Sequence, residues 1–125
     1  MSPEILGAAQ KFVAEKIGAP EGSKPVFFVF HGGSGSDKAK IDEALGHGVI
    51  KMNIDTDTQW AYWNGLKEYE AANHDYLQGQ IGNPDGADKP NKKKYDPRAW
   101  IRACEVAQVT RLQEAYTDLK SVGKQ

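Results

Sequence analysis

Apolar positions in the first part of the chain recur at helical spacing. Ile5, Ala9, Phe12, Val13 and Ile17 share one face. Ser2 is placed to cap that helix with Pro3 at its first position, and Gly18 and Pro20 end it. The pattern then changes to an unbroken apolar run, Val26-Phe27-Phe28-Val29-Phe30, as in a parallel strand covered on both faces. A helix is predicted over 37–45 with Ile41, Ala44 and Leu45 inward, then a strand over 49–54. Thr56-Asp57-Thr58-Gln59 is a capping-box pattern that opens a third helix carrying Trp60, Trp63, Leu66 and Tyr69 to about residue 72. Residues 79–95 read as a long loop, with turn signals at Asn83-Pro84, Asp85-Gly86 and Lys89-Pro90. Loops of this length inside a compact domain are usually functional or mobile. Asp96-Pro97 caps a last helix in which Val106, Val109, Leu112, Tyr116 and Leu119 form one stripe. The order α-β-α-β-α-loop-α predicts parallel strands joined by crossover helices.

The chemistry concentrates at the two strand ends. His31-Gly32-Gly33-Ser34-Gly35-Ser36 follows the first strand and opens a helix. Such a turn presents backbone N–H groups that suit a phosphate. No Gly-Lys-Ser/Thr follows, so it is not a Walker loop. The second junction, Met52-Asn53-Ile54-Asp55-Thr56-Asp57-Thr58, comes soon after in the chain, so one site built from neighbouring βα loops is expected. His31 alone is a weak metal signal, because a catalytic zinc takes three protein ligands. Asp55 and Asp57 also fit a plain role in charging a helix N-terminus. Lys92, Lys93 and Lys94 read as a solvated face, and Cys104 as a small packing residue. His47 is expected at a surface or helix cap, and His74 in solvent.

Composition narrows the class. The chain has 125 residues, a formal charge of −1, 26% charged residues and 39% hydrophobic ones, which describes one soluble globular domain. The near-neutral charge gives no reason to expect nucleic acid or an anionic membrane as partner. The single cysteine excludes an intrachain disulfide framework and fits a reducing, cytoplasmic setting. No apolar run approaches the roughly 20 residues needed to span a bilayer, and the N-terminus does not read as a signal peptide.

Two short parallel strands cannot form a stable sheet alone. Both are apolar on two faces and both would leave an unpaired edge. The chain is therefore expected either to assemble with copies of itself or to be one section of a larger barrel. A complete (β/α)8 barrel needs about 250 residues.

Val29-Phe30-His31-Gly32-Gly33-Ser34-Gly35-Ser36 and Val49-Ile50-Lys51-Met52-Asn53-Ile54-Asp55-Thr56-Asp57-Thr58-Gln59 closely resemble the class II, zinc-dependent fructose-bisphosphate aldolases. The resemblance continues through Tyr76-Leu77-Gln78-Gly79-Gln80, Gly82-Asn83-Pro84, Lys89-Pro90-Asn91-Lys92-Lys93 and Tyr95-Asp96-Pro97-Arg98, motifs that point to the dimeric branch. It runs from about residue 3 to 120. It implies an α/β fold, the C-terminal part of a TIM (β/α)8 barrel. Residues 1–125 would form a single incomplete domain, with barrel βα units over 1–78 and a long loop and C-terminal helix over 79–125.

For function, the resemblance implies reversible aldol cleavage of fructose 1,6-bisphosphate to dihydroxyacetone phosphate and glyceraldehyde 3-phosphate, a glycolytic lyase reaction. The metal of such an enzyme polarises the ketone and stabilises the enediolate. His31 would be one zinc ligand. Gly32, Gly33 and Ser34 would hold the dihydroxyacetone phosphate group, and Asn53, Ile54, Asp55 and Thr56 would complete that site. Asn53 and Asp55 would orient the enediolate as catalytic groups. Gly32 and Ser34 would offer carbonyls to a monovalent cation. Arg98 would reach the other phosphate from the neighbouring subunit of a homodimer. The remaining zinc ligands, the acid/base aspartate and a catalytic glutamate have no counterpart in the chain, so alone it is expected to be inactive. Three other readings stay open: a sugar-phosphate-binding module without chemistry, a non-catalytic half-barrel that self-associates, and a related tagatose-bisphosphate aldolase.

Overall fold

The computed structural model describes residues 2–124. It falls into two compact units: the chain up to Asp57 together with the part from Glu114 onward, and Thr58–Gln113.

In the first unit, α1 (Glu4–Ile17) begins one position later than the sequence pattern predicts. Pro3 occupies the N-cap and no side chain caps the end; Ser2 contributes its carbonyl, which accepts the Ile5 N–H at 3.2 Å. The predicted apolar stripe is not the buried face: Ile5, Phe12 and Ile17 are each about 60% exposed. The buried residue is Gln10, which is 5% exposed. Its Nε2 donates to Val26 O at 2.6 Å and to His47 O at 2.8 Å, and its Oε1 accepts the Val26 N–H at 3.0 Å. One amide thereby ties α1 to the chain entering the first strand and to the turn entering the second. Buried polar groups must be paired, and this one pairs three backbone groups at once.

The strand β1 (Phe28–Phe30) runs parallel to β2 (Val49–Met52), joined by α2 (Lys38–Gly46). Both strands are shorter than the predicted 26–30 and 49–54, because ladder pairing stops where the neighbouring strand stops. Asp37 caps α2, its Oδ1 accepting the Ala39 N–H at 2.8 Å, and Ile41 and Ala44 are buried as predicted. Lys38 and Lys120 pair with Asp118 and Asp42, which fastens α2 to the far end of the last helix. Phe27, Val29 and Ile50 remain largely exposed. This two-stranded parallel sheet, wrapped by its crossover helix, is the βα repeat from which a TIM barrel is built.

In the second unit, α3 (Thr56–Asn73) ends in a single 3₁₀ turn, His74–Tyr76. The predicted loop over 79–95 is ordered instead as an antiparallel hairpin, β3 (Ile81–Asn83) and β4 (Gly86–Pro90), followed by the short helix α4 (Lys92–Tyr95). The turn signals were real, but the flanking strands are too short and polar to show alternation. The last helix, α5 (Pro97–Asp118), buries Cys104 in place of the predicted stripe; Val106, Val109 and Tyr116 are about half exposed. Trp60 and Trp63 are likewise more than half exposed. The helices α3 and α5 touch at Gly65, where a Cβ would lie 2.9 Å from Ala103 O, Cys104 Cα and Ala107 Cβ. Among the described residues, no helix is long and apolar enough to cross a membrane.

Candidate functional site

The strands β1 and β2 end together, with Phe30 opposite Met52, so the residues after each emerge side by side. The ladder continues past the strand ends: Asn53 N–H donates to Phe30 O at 2.9 Å and Gly33 N–H donates to Asn53 O at 3.0 Å. The glycine-rich loop is thus bonded to the second junction by backbone alone. Gly33 is buried where a Cβ would meet Met52 Cγ at 2.6 Å and Asn53 O at 3.1 Å, so only glycine fits without a shift. Gly32 has φ 82°, in the left-handed region that favours glycine.

Side chains add a second layer of ties. The Asn53 amide lies 2.7 Å from His31 Nδ1. Ser34 Oγ accepts the Asp57 N–H at 3.2 Å, and the Asp57 carboxylate accepts the Gly35 N–H at 3.1 Å. That reciprocal pair brackets the loop against the first turn of α3. It assigns Asp57 the plain role of holding backbone at a helix N-terminus. The N–H groups of Gly33 and Gly35 are therefore committed, and Gly32 and Ser34 carry the loop N–H groups that have no partner among the described residues. His31, Gly32, Gly33, Ser34 and Asn53 are brought together, with Asp55 and Thr56 exposed and Ile54 half-buried at the same strand end. Chemically this is a cradle at the C-terminal edge of two barrel strands, where phosphate sites of such barrels form.

As a metal centre the cradle is incomplete. No group of three or more His, Cys, Asp or Glu side chains is gathered for a metal among the described residues. His31 offers one imidazole where a catalytic zinc takes three protein ligands, so the residues of this chain do not by themselves fit that ion. The Asn53 amide nitrogen beside Nδ1 orients the ring, with the donor and acceptor of that contact set by the imidazole tautomer.

Arg98 belongs to the second unit. Its Nε and Nη2 donate to the Asp96 carboxylate at 2.9 and 2.6 Å, and its own N–H donates to Asp96 Oδ1 at 3.0 Å. Asp96 is consequently pushed down to about 2 by the hydrogen bonds from Arg98, and Arg98 is raised in turn. The Arg98 side chain is otherwise 89% exposed, so the free edge of its fork faces solvent. Lys94 is not part of a solvated face as predicted: Nζ donates to Asn73 Oδ1 at 2.8 Å and lies over the Tyr76 ring. Its carbonyl accepts from the Tyr69 hydroxyl at 2.7 Å. His47 caps α2 and His74 pairs with Glu70 at 2.5 Å, which raises the His74 pKa. His47 at a helix cap and His74 exposed are as the sequence predicts. Sequence reasoning misses Asp96 as the holder of Arg98; an aspartate two residues before an arginine, across a proline, is the signal that carried it.

The family model for fructose-bisphosphate aldolase class-II matches residues 1–124. A fructose-bisphosphate aldolase of Campylobacter jejuni is 58% identical over 124 residues, which is 99% of this chain and 35% of that protein. One from Haemophilus influenzae is 55% identical over 122 residues, 98% of this chain and 33% of that protein. The class 2 aldolase of Escherichia coli K12 is 50% identical, with the same coverage. The 1.85 Å crystal structure of fructose-bisphosphate aldolase from Campylobacter jejuni superimposes with a TM-score of 0.91, covering 98% of this chain and 36% of that one. The chain spans about a third of the length of these relatives.

Proposed function

Because the chain belongs to the class II fructose-bisphosphate aldolase family, we propose that it serves as the C-terminal section of such an enzyme, an incomplete domain that supplies one wall of the active site. The reaction would be reversible aldol cleavage of fructose 1,6-bisphosphate to dihydroxyacetone phosphate and glyceraldehyde 3-phosphate, a glycolytic step in the cytoplasm. The observation that supports this reading is the doubly tied cradle: Gly33 to Asn53, and Ser34 to Asp57 to Gly35. A preorganised set of donors holds an anion without reorganising during the reaction.

Within that cradle, the free N–H groups of Gly32 and Ser34 and the Ser34 hydroxyl hydrogen would hold the dihydroxyacetone phosphate group. Gly33 would act through close packing, since its N–H is already bonded to Asn53 O. Asn53 and Asp55 would orient the reacting end, with Ile54 and Thr56 completing the wall. The Gly32 and Ser34 carbonyls would suit a monovalent cation. His31 would be one ligand of a zinc whose other ligands lie outside this chain. Arg98 would bind the second phosphate, contributed across a homodimer.

The test is an aldol cleavage assay with fructose 1,6-bisphosphate and zinc. The chain alone is expected to show no turnover above its His31→Ala variant. Co-expressed with the preceding two thirds of a family barrel, it is expected to restore turnover that His31→Ala abolishes. Turnover by the chain alone, or no restoration, would overturn the reading.

A further inference from the structure

The hairpin between α3 and α4 is built around one buried side chain. Asn91 is 1% exposed and among the largest fully buried side chains in the chain. Its Nδ2 donates to Gly79 O at 2.8 Å and to Gly82 O at 2.9 Å. Its Oδ1 accepts from Asn83 Nδ2 at 2.6 Å, and its N–H donates to Gln80 O at 2.9 Å. Both amide hydrogens, the amide oxygen and the backbone N–H are thus all used. Asn83 in turn holds the hairpin tip, its Oδ1 accepting the Asp85 N–H at 2.8 Å.

Asn91 is also the residue from which α4 departs. A short basic stretch comes next in the chain, and its members are sorted by use. Lys94 is consumed internally by Asn73 and the Tyr76 ring. Lys89, Lys92 and Lys93 make no ion pair among the described residues, and Arg98 is held by Asp96 with its outer edge free. Lys89, Lys92, Lys93 and Arg98 line one recess of about 680 Å³, where the acidic groups are Asp85 and Asp96. Asp85 is engaged by the Tyr76 hydroxyl at 3.1 Å and Asp96 by Arg98. The recess therefore presents surplus positive charge along β4, α4 and the start of α5.

We propose that Asn91 is a positioning residue: by locking the hairpin it holds Lys92, Lys93 and Arg98 in a preformed arrangement for a phosphate-bearing ligand. This rests on the reading of Arg98 as a phosphate contact and adds what keeps it in place. Four-residue α4 cannot hold its own geometry, because a helix that short has more unpaired end groups than internal bonds. Its orientation must come from anchors outside it: the buried Asn91 where it starts, and the bonds of Lys94 to Asn73 and Tyr69 toward its end. Preorganisation raises affinity by sparing the ordering cost at the moment of binding.

The experiment is a titration of the full, ¹⁵N-labelled chain with inorganic phosphate, read at two sets of signals. The Gly32 and Ser34 amides report the cradle. The amides of 92–98 and the Arg98 Nε–H report the recess. In the native chain both sets are expected to shift. In Asn91→Ala the recess is expected to bind about tenfold more weakly, with the α5 amides beyond Ala107 and the cradle response unchanged, the equivalent of losing one or two hydrogen bonds. The Arg98 Nε–H signal should broaden, which a purely structural loss elsewhere would not cause.

Unchanged recess affinity in Asn91→Ala would overturn the positioning role and leave the functional reading standing. A recess that takes no phosphate in the native chain would overturn this inference, and the cradle signals would then show whether the wider reading falls with it. If Asn91→Ala loses dispersed signals, Asn83→Ala serves instead, since it removes the donor to Asn91 Oδ1 and leaves both Nδ2 bonds. Weakening of about threefold is expected there, and no change would overturn the proposal.

Discussion

Gly33 shows how little room the cradle leaves. An added methyl group would lie 2.6 Å from Met52 Cγ, 2.7 Å from Met52 Sδ and 3.1 Å from Asn53 O. Met52 is flexible and can swing aside, but Asn53 O is backbone and is the acceptor for the Gly33 N–H itself. The substitution Gly33→Ala therefore sets a small gain in unfolded-state rigidity, about 0.4–1 kcal/mol, against overpacking of about 1–3 kcal/mol. The second effect should win. Urea unfolding is expected to show a net loss of about 1–2 kcal/mol, with the Asn53 amide shifted. A variant as stable as the native chain, with the Asn53 amide unmoved, would show that the loop and β2 are not in the contact described.

At the scale of elements, the decisive contact is between α3 and α5, and it too is made by small residues. Gly65 sits in the middle of an 18-residue helix, where glycine costs about 1 kcal/mol relative to alanine. On propensity alone Gly65→Ala should stabilise. The Cβ would meet Ala103 O, Cys104 Cα and Ala107 Cβ, each at 2.9 Å, and two of those three atoms are backbone. The helices must separate to admit it, so the expected result is a net loss of about 1–2 kcal/mol in thermal or urea unfolding. An increase in stability would place α3 and α5 further apart than described.

The same contrast explains what could be read from sequence. Repeating features were legible: the strand-to-glycine junction at His31, its partner at Asn53, and the buried Ile41 and Ala44. Gln10, Gly65 and Asn91 were not, because each acts by a single contact with distant backbone and leaves no periodic trace. The apolar stripes of α1 and α5 were legible as stripes but not as buried faces. Periodicity reports that a face is apolar; whether something covers it depends on chain that lies elsewhere.

Uncovered apolar surface governs the whole molecule. Phe27, Val29, Ile50, Ile5, Phe12 and Ile17 are all exposed by about half or more, a large apolar surface for 125 residues. The sheet has two strands and hence two open edges. In a parallel strand the backbone groups of alternate residues point to opposite neighbours. Phe28 N–H donates to Gly48 O and Phe30 O accepts from Asn53, so both face β2. Val29 N–H and C=O then face the other side, where the described residues supply no strand. Hydrogen exchange can read the difference directly. The Phe28 and Asn53 amides are expected to be protected and the Val29 amide to exchange freely in the chain alone. When the preceding section of a family barrel is supplied, Val29 should become protected along with them, because a strand would then lie beside β1. Protection at Val29 in the chain alone would mean that β1 already has a second neighbour, from a copy of the chain, and that the apolar faces are covered by self-association rather than by the rest of a barrel.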